Sequence, residues 1–467
     1  MLNKNAKRVA SILLLTATPL LARAQEADTS NAALEQRLKI VERQLEIQKE
    51  EAEAKAKDSA VVTASEKGFG IQSGDGKFAL NFRALIQADG RFFTGDPAGQ
   101  NFNDTFLLRR VEPQFSGSLG KFVGFVFTPQ FTAGSNSTPG ASITDVYIDL
   151  KFDPAATIRI GRFKGPISGL ENLRTTGATK FVERGLPTYL LPARDYGVQL
   201  QGTVFGSTLS YFAGIYNGAR DGSDATATDA DNRHEFAARI FAEPFKNSPG
   251  FFQGFGIGVA AAKGSKLGTN VAGGNQVLPS YVTTGQNTFF SYTPAATGTP
   301  PTAPTVSAAG DQTRINPQLY FFRNSFGFLA EFVSSRQKLS ASGVTASLTH
   351  TAYNVETTYL LTGEDASYSQ PVKPRHPYTV GGDGWGALEV GARHGAIDID
   401  DHAFPTFADP GKFATRARDY GAVLAWYPTT NLKVATDYNL TRFNGGAAGG
   451  GNRPIERAIF ARVQVWY

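Results

Sequence analysis

The sequence predicts an all-β fold: a 16-stranded antiparallel transmembrane β-barrel preceded by a short N-terminal periplasmic coiled-coil helix. Three observations carry this expectation. A secretory leader opens the chain, period-two alternation recurs from residue 77 onward, and the composition is rich in Gly and Phe but lacks long apolar runs. Outside the N-terminus no run reaches the roughly 18 apolar residues that a membrane helix needs, so a helical membrane protein is excluded. The 467 residues include 50 Gly, 35 Phe and 16 Tyr, with a single Met and no Cys. Without cysteine there is no disulfide scaffold, thiolate zinc site or cysteine nucleophile.

The leader comes first. Lys4, Lys7 and Arg8 precede an apolar stretch from Val9 to Leu21, followed by Ala22-Arg23-Ala24. A basic n-region, a short apolar h-region and an A-x-A site define a secretory signal rather than an anchor. Residues 1–24 are therefore expected to be removed. With them go Lys4, Lys7, Arg8 and Arg23, and the net charge drops from +5 to +1. A chain so nearly neutral lacks the basic domain of a nucleic-acid binder.

Residues 25–67 read as a separate stalk. Leu34, Leu38, Val41, Leu45, Gln48 and Ala52 follow a 4-3 spacing, with Glu, Lys and Arg around them. That is an a/d seam of about three heptads. Its expected role is a periplasmic coiled coil that helps trimerise the C-terminal barrel; the alternative is a solvated charged helix. The segment from Glu26 to Lys67 carries a net −3, which leaves +4 on residues 68–467.

Residues 68–467 form the expected barrel. Phe78, Leu80, Phe82, Ala84 and Ile86 alternate with residues such as Asn81, Arg83 and Gln87. Val146, Ile148, Leu150 and Phe152 alternate with Asp145, Asp149 and Lys151, and Leu432, Val434, Tyr438 and Leu440 with Lys433, Asp437 and Asn439. Lipid cannot satisfy backbone amides, so only a closed sheet with an apolar outside crosses a bilayer in strands. Segments fall near 77–92, 104–116, 121–131, 143–152, 156–163, 195–205, 207–217, 232–243, 251–263, 313–322, 325–337, 347–362, 383–399, 415–428, 430–443 and 453–467. Sixteen strands enclose an aqueous channel. Short connections such as Asp153-Pro154-Ala155 are expected at the periplasmic end. The long connections 164–194, 264–312 and 363–382 are expected outside the cell or folded into the lumen, 264–312 with little fixed structure because it is dominated by Thr, Pro, Gly and Ala.

The chain ends in Ile459, Ala461, Val463, Val465 and Tyr467 on one phase. This is similar to the terminal strand by which bacterial outer-membrane barrels are recognised for assembly. Ordered motifs extend the likeness. Phe106-Leu107-Leu108-Arg109-Arg110-Val111, Ile160-Gly161-Arg162-Phe163, Gly169-Leu170-Glu171, Leu361-Thr362-Gly363-Glu364 and Trp385-Gly386-Ala387-Leu388-Glu389 with Arg393 occur in sequence. Together they make the chain resemble the phosphate-selective porin O and P family. The resemblance implies a trimeric, sixteen-stranded porin with an in-folded third loop and an Arg/Lys-lined anion path for phosphate or pyrophosphate.

Anion selection needs lumen cations whose field is focused by low-dielectric walls, and Arg suits it through its fixed charge and bidentate fork. By alternation Arg83, Arg91, Arg110, Arg239, Arg393 and Arg462 face inward. Arg109 and Arg110 match the family's arginine pair, although neighbours in a regular strand cannot both point inward. Arg162, Lys164, Arg174, Lys180 and Arg184 lie in or beside the in-folded loop, with Thr175 and Thr176 as its hydroxyls. Asp145 matches the family's acidic residue near the constriction, and Asp149 and Glu112 add negative charge. One departure stands out: Asn172 occupies the position of the family's constriction lysine.

A barrel phospholipase would need a Ser/His pair, and none of His234, His350, His376, His394 and His402 sits in a nucleophile motif. No cofactor and no metal is expected; His394, Asp398, Asp400, Asp401 and His402 read as a rim loop. A sugar-type or general porin, with Phe102, Phe163, Phe181, Tyr189, Phe212 and Trp466 along its path, is the alternative. A barrel anchoring the outer membrane to the cell wall is another. The leading expectation is a passive trimeric porin in the bacterial outer membrane, surrounded by outer-membrane lipid. It has its N-terminal segment in the periplasm and takes small anions, phosphate or pyrophosphate first. On that reading Glu at positions 110 and 174 reverses the ion preference.

Overall fold

The computed structural model describes residues 27–66, 68–94, 103–132, 140–226, 229, 231–269, 277–293 and 305–467. The expected leader, residues 1–24, lies outside these, as does Phe102. Two units result, divided between Ser59 and Ala60. The first contains one helix, α1 (Ala27–Asp58), on which Leu34, Leu38, Val41 and Leu45 are all exposed. The second is a β-barrel. No described helix is long and apolar enough to cross a membrane.

The barrel unit begins earlier than residue 68. A hairpin of β1 (Val61–Ser65) and β2 (Gly68–Gln72) leads into β3 (Phe78–Phe93), and β2 pairs with its first residues. Thus Val61–Ser65, expected in the stalk, belong to the sheet. The hairpin's short alternation, VVTAS then GFGIQ, lies under a charged neighbourhood that masks it in the sequence.

All sixteen expected strands are present. After β3 come β4 (Thr105–Leu119), β5 (Val123–Gln130), β6 (Ser142–Asp153), β7 (Ala156–Phe163), β8 (Asp195–Val204), β9 (Leu209–Tyr216), β10 (Glu235–Ala242) and β11 (Phe255–Leu267). Beyond a small hairpin, β12 (Ser280–Val282) and β13 (Thr288–Ser291), come β14 (Ser307–Arg323), β15 (Phe326–Ala341), β16 (Val344–Leu360), β17 (Ala387–Asp398), β18 (Ala414–Thr429), β19 (Leu432–Gly445) and β20 (Glu456–Trp466). Neighbours are antiparallel, and β20 closes the ring on β3, with Arg462 opposite Asp89 and Trp466 opposite Leu85. Closure leaves no edge to hydrogen-bond with lipid. Tyr467 completes the seam by exchanging backbone bonds with Ala84.

Burial is inverted relative to a water-soluble protein. In β15, Glu331, Ser335 and Gln337 are buried while Phe332 is exposed; in β19, Asp437 and Asn439 are buried while Tyr438 is exposed. The polar phase faces the lumen and the apolar phase forms an outer band, the pattern lipid demands.

Strand direction sorts the connections into two ends. Turns 154–155, 205–208, 324–325 and 430–431 share one end, here the short-turn end. Connections 164–194, 217–234, 268–306 and 399–413 share the other. The segment 361–386 takes the second of its two expected places: it joins β16 to β17 at the short-turn end and enters the lumen from there, Tyr368 Oη donating to the Leu170 carbonyl at 2.6 Å.

The 264–312 stretch departs from the expectation of little fixed structure. Among its described residues, 277–293 hold an ordered hairpin whose Tyr281, Phe289, Phe290 and Tyr292 are buried with Val306, Leu339, Ile397, Phe407 and Phe443. The four aromatics give an otherwise bland segment enough apolar area to fold inward. Thr283 and Asn287 donate to Glu456 at 2.7 and 3.0 Å, and Thr284 donates to Asp419 at 2.6 Å. This packing fills the lumen toward the long-loop end.

Candidate functional site: the in-folded loop and the lumen beneath it

Loop 164–194 leaves β7, forms one helical turn α2 (Leu170–Leu173), and returns to β8. Its descent requires glycine. Gly169 has φ +84°, and a Cβ there would meet the Glu331 carboxylate at 2.9 Å and Leu191 at 2.7 Å. That close approach lets the Leu170 amide donate to Glu331 at 3.0 Å. At Gly185 a Cβ would meet Asn354 at 2.8 Å, and the Gly185 amide donates to Glu171 at 2.6 Å.

The barrel wall then grips the loop along its length. Arg174 pairs with Glu356 at 2.9 Å, and Lys180 pairs with Glu389 at 2.9 Å. Lys433 donates to the carbonyls of Thr179 and Lys180, and Gln464 to that of Gly177. The Val182 amide donates to Asp437 at 2.8 Å, while Arg462 and Arg393 donate to the carbonyls of Val182 and Glu183. Backbone groups that a descending loop would leave unpaired are thereby satisfied by lumen-facing side chains.

Glu183 gathers guanidiniums: Arg91 and Arg109 each approach it at 2.7 Å and Arg462 at 3.6 Å. Asp89 shares two of them, at 2.6 Å from Arg462 and 3.4 Å from Arg91. Burial opposes the charge on Glu183, yet Arg109, Arg462 and Arg91 hold its carboxyl well below the usual range. Three cations against two carboxylates leave one positive charge over.

More positive charge lies beside this group. Arg110 donates to Gln87 at 2.7 Å and stands 3.5 Å from Glu112. Arg184 and Lys164 form no ion pair among the described residues; they donate to the carbonyls of Glu171 at 3.1 Å and Arg174 at 3.4 Å. Burial, then the neighbouring Arg194 and Arg184, pull the Lys164 ammonium down to about 7. Burial and Arg194 likewise lower Arg184. Burial and the nearby Glu356 push the Glu171 carboxyl up to about 8, so it contributes little charge near neutrality.

Beneath the loop a cavity of ≈ 690 Å³ opens toward the short-turn end. Arg83, Lys164, Arg194 and Lys373 line it, facing Glu112 and Asp145. Thr175 and Thr176 form part of its roof, and Ser369, Gln370 and Pro371 of the opposite loop part of its side.

The motif order seen in the sequence recurs at the level of the whole chain, where the family described as phosphate-selective porin O and P matches residues 78–444. The chain belongs to this family. One solved structure supports the fold. The outer membrane channel DcaP of Acinetobacter baumannii superposes with TM-score 0.51 at 10% identity, covering 86% of this chain and 100% of that one. A loop L8 deletion mutant of OmpT of Vibrio cholerae gives 0.49 at 9% identity, covering 84% and 100%. The anion-selective porin from Comamonas acidovorans gives 0.48 at 9%, again covering 84% and 100%. No curated protein matches the sequence. Family and fold are those of outer-membrane porins, which are channel proteins.

Within this porin the residues singled out from sequence divide into two groups. Arg83, Lys164, Thr175, Thr176 and Asp145 line the cavity. Arg109 and Arg110 both point inward because a β-bulge interrupts β4: Arg110 is opposite Gln87 and Leu108 opposite Ala88, leaving Arg109 as the extra residue. The second group is consumed by protein partners. Arg174 is 1% exposed and bound to Glu356, so it holds the loop in place and does not face the cavity. This corrects its placement on the anion path. Arg393 pairs with Asp419 at 3.1 Å, and Arg462 with Asp89. Arg239 donates to Gln318 at 2.8 Å and lies over Phe241, and Arg162 pairs with Asp224 at 3.0 Å. Asn172 is buried and donates to the Ser168 carbonyl at 3.1 Å. Asp145 accepts both Nε and Nη2 of Arg194 at 3.0 Å.

Sequence reasoning missed Arg194 and the carboxylates Asp89, Glu183, Glu356, Glu389 and Asp419. Their signal was present in part, since Asp89 sits two residues before Arg91 and Glu389 four before Arg393, on the same strand faces. Of the aromatics named for a sugar path, Phe163 and Phe181 are buried and Trp466 lines the cavity.

Proposed function

We propose that this porin passes small anions by electrodiffusion, phosphate and pyrophosphate being the leading solutes. The observation that carries the reading is the pair Lys164 and Arg184, left without carboxylate partners among the described residues, beside the third guanidinium of the Glu183 group. Unneutralised cations between low-dielectric walls raise the local anion concentration. Because Arg91, Arg109, Arg393 and Arg462 are held by carboxylates, a passing anion meets a shallow well rather than a trap, and conduction requires that it leave again. Reversal potential across a planar bilayer in a salt gradient tests this, followed by titration with phosphate and pyrophosphate. Cation selectivity overturns the reading; anion selectivity without block by either salt overturns the choice of solute.

The assembly we propose is a homotrimer with helix α1 in the periplasm. Support comes from the helix itself, whose Leu34, Leu38, Val41 and Leu45 are 50–59% exposed on an a/d spacing. Neighbouring copies are the natural cover for such a seam. The sequence of residues 1–24 supports export through a cleaved leader.

A further inference from the structure

We propose that the cavity under the in-folded loop is a binding site for organic carboxylates that carry a hydrocarbon body, a solute class distinct from inorganic phosphate. The inference rests on the anion reading above and deepens it.

Among the apolar side chains that line this cavity are Leu85, Val126, Leu173, Pro371 and Trp466. Each is only partly covered by protein. They come from three strands and from two of the loops that enter the lumen, one from each end. Leu85, Val126 and Trp466 occupy inward phases otherwise held by polar residues: Leu85 lies between Arg83 and Gln87, and Trp466 two residues after Gln464. A hydrated phosphate gains nothing from such a surface. A hydrocarbon chain does, because each methylene moved from water onto apolar side chains contributes up to about fourfold in affinity.

The polar end is provided within the same cavity. Lys164 brings an ammonium with no ion pair among the described residues, and Thr175 is exposed beside it. Two of the cavity's guanidinium forks are already engaged, Arg194 by Asp145 and Arg159 by Asp149, while Arg83, Lys164 and Lys373 line it with no ion pair among the described residues. The cavity thus joins unpaired cations and hydroxyls to an apolar wall. That pattern matches a carboxylate head on an alkyl body.

The test uses full-length protein in planar bilayers at pH 6, with acetate, butyrate and hexanoate titrated as blockers of the chloride current. The half-blocking concentration should fall by about twofold or more per added methylene. Lys164→Gln should weaken all three acids alike and keep the slope, whereas Val126→Thr combined with Pro371→Ser should flatten it. A flat series in the unmodified protein, with anion-selective reversal potentials, overturns this proposal and leaves the anion reading intact. A slope unchanged in the Val126/Pro371 variant overturns it too. Cation-selective reversal potentials overturn both.

Discussion

Replacing Glu183 by Gln removes one negative charge from the centre of the lumen while keeping the side chain's size. In the native protein this carboxylate stands 2.7 Å from Arg91, 2.7 Å from Arg109 and 3.6 Å from Arg462. Asp89 stays behind and still holds Arg462 at 2.6 Å and Arg91 at 3.4 Å, so only Arg109 loses its ion pair and the loop should stay seated at a cost near the lower end of the roughly 3–5 kcal/mol for breaking a buried pair. The electrostatic effect follows from Coulomb's law. One added positive charge roughly 7 Å from a passing ion in water is worth about 0.6 kcal/mol. Screening at 0.1 M salt, with a Debye length of about 10 Å, halves this to about 0.3 kcal/mol. The sign is opposite for anion and cation, so the anion-to-cation permeability ratio should rise about threefold, and more at lower salt. Reversal potentials in a tenfold KCl gradient measure it. An unchanged ratio, or a shift toward cations in a correctly folded barrel, refutes the placement of Glu183 beside the ion path.

Lys164 should make anion preference depend on pH. With its ammonium held near 7, it is charged below that value and neutral above, so the anion-to-cation ratio should fall as pH rises from about 6 to about 8.5. Lys164→Gln should sit at the lower, flat level throughout, and a ratio that rises with pH contradicts the assignment. Arg174→Gln should lower stability by about 3 kcal/mol, since it leaves Glu356 buried and unpaired. Its reversal potential should stay native, and heat unfolding in detergent together with bilayer recording separates the two effects. Gly169→Ala should cost at least about 1–2 kcal/mol through its positive φ and its contact with Glu331. Limited proteolysis of loop 164–194 should then reveal a loosened loop, and native resistance would show that the loop tolerates a Cβ there.

The barrel was legible because lipid imposes one rule on every strand. Alternation such as Phe78, Leu80 and Phe82 against Asn81 and Arg83 recurs sixteen times, and each instance corresponds to a paired strand. The site was legible only by residue type. Charged residues with inward phase were identified correctly, but phase does not reveal partnership. Glu183 meets Arg91 across 92 positions and Arg174 meets Glu356 across 182, and nothing local encodes those meetings. The inward hairpin at 277–293 escaped notice because its surroundings are Thr, Pro and Gly; its four aromatics are its one sign of burial. Arg109 and Arg110 cannot both face inward in a regular strand, and the bulge admits both by a single unpaired residue.

The two ends of the lumen are built differently. Aromatic packing occupies the long-loop end, while the cavity with Arg83, Lys164 and Lys373 opens at the short-turn end. Cations lining a cavity at one mouth enrich anions there. Anions driven in from that side start from a loaded reservoir. Under an applied voltage such a passage acts as a rectifier: current at equal and opposite potentials differs, and the sign of the difference reports which way the barrel was inserted.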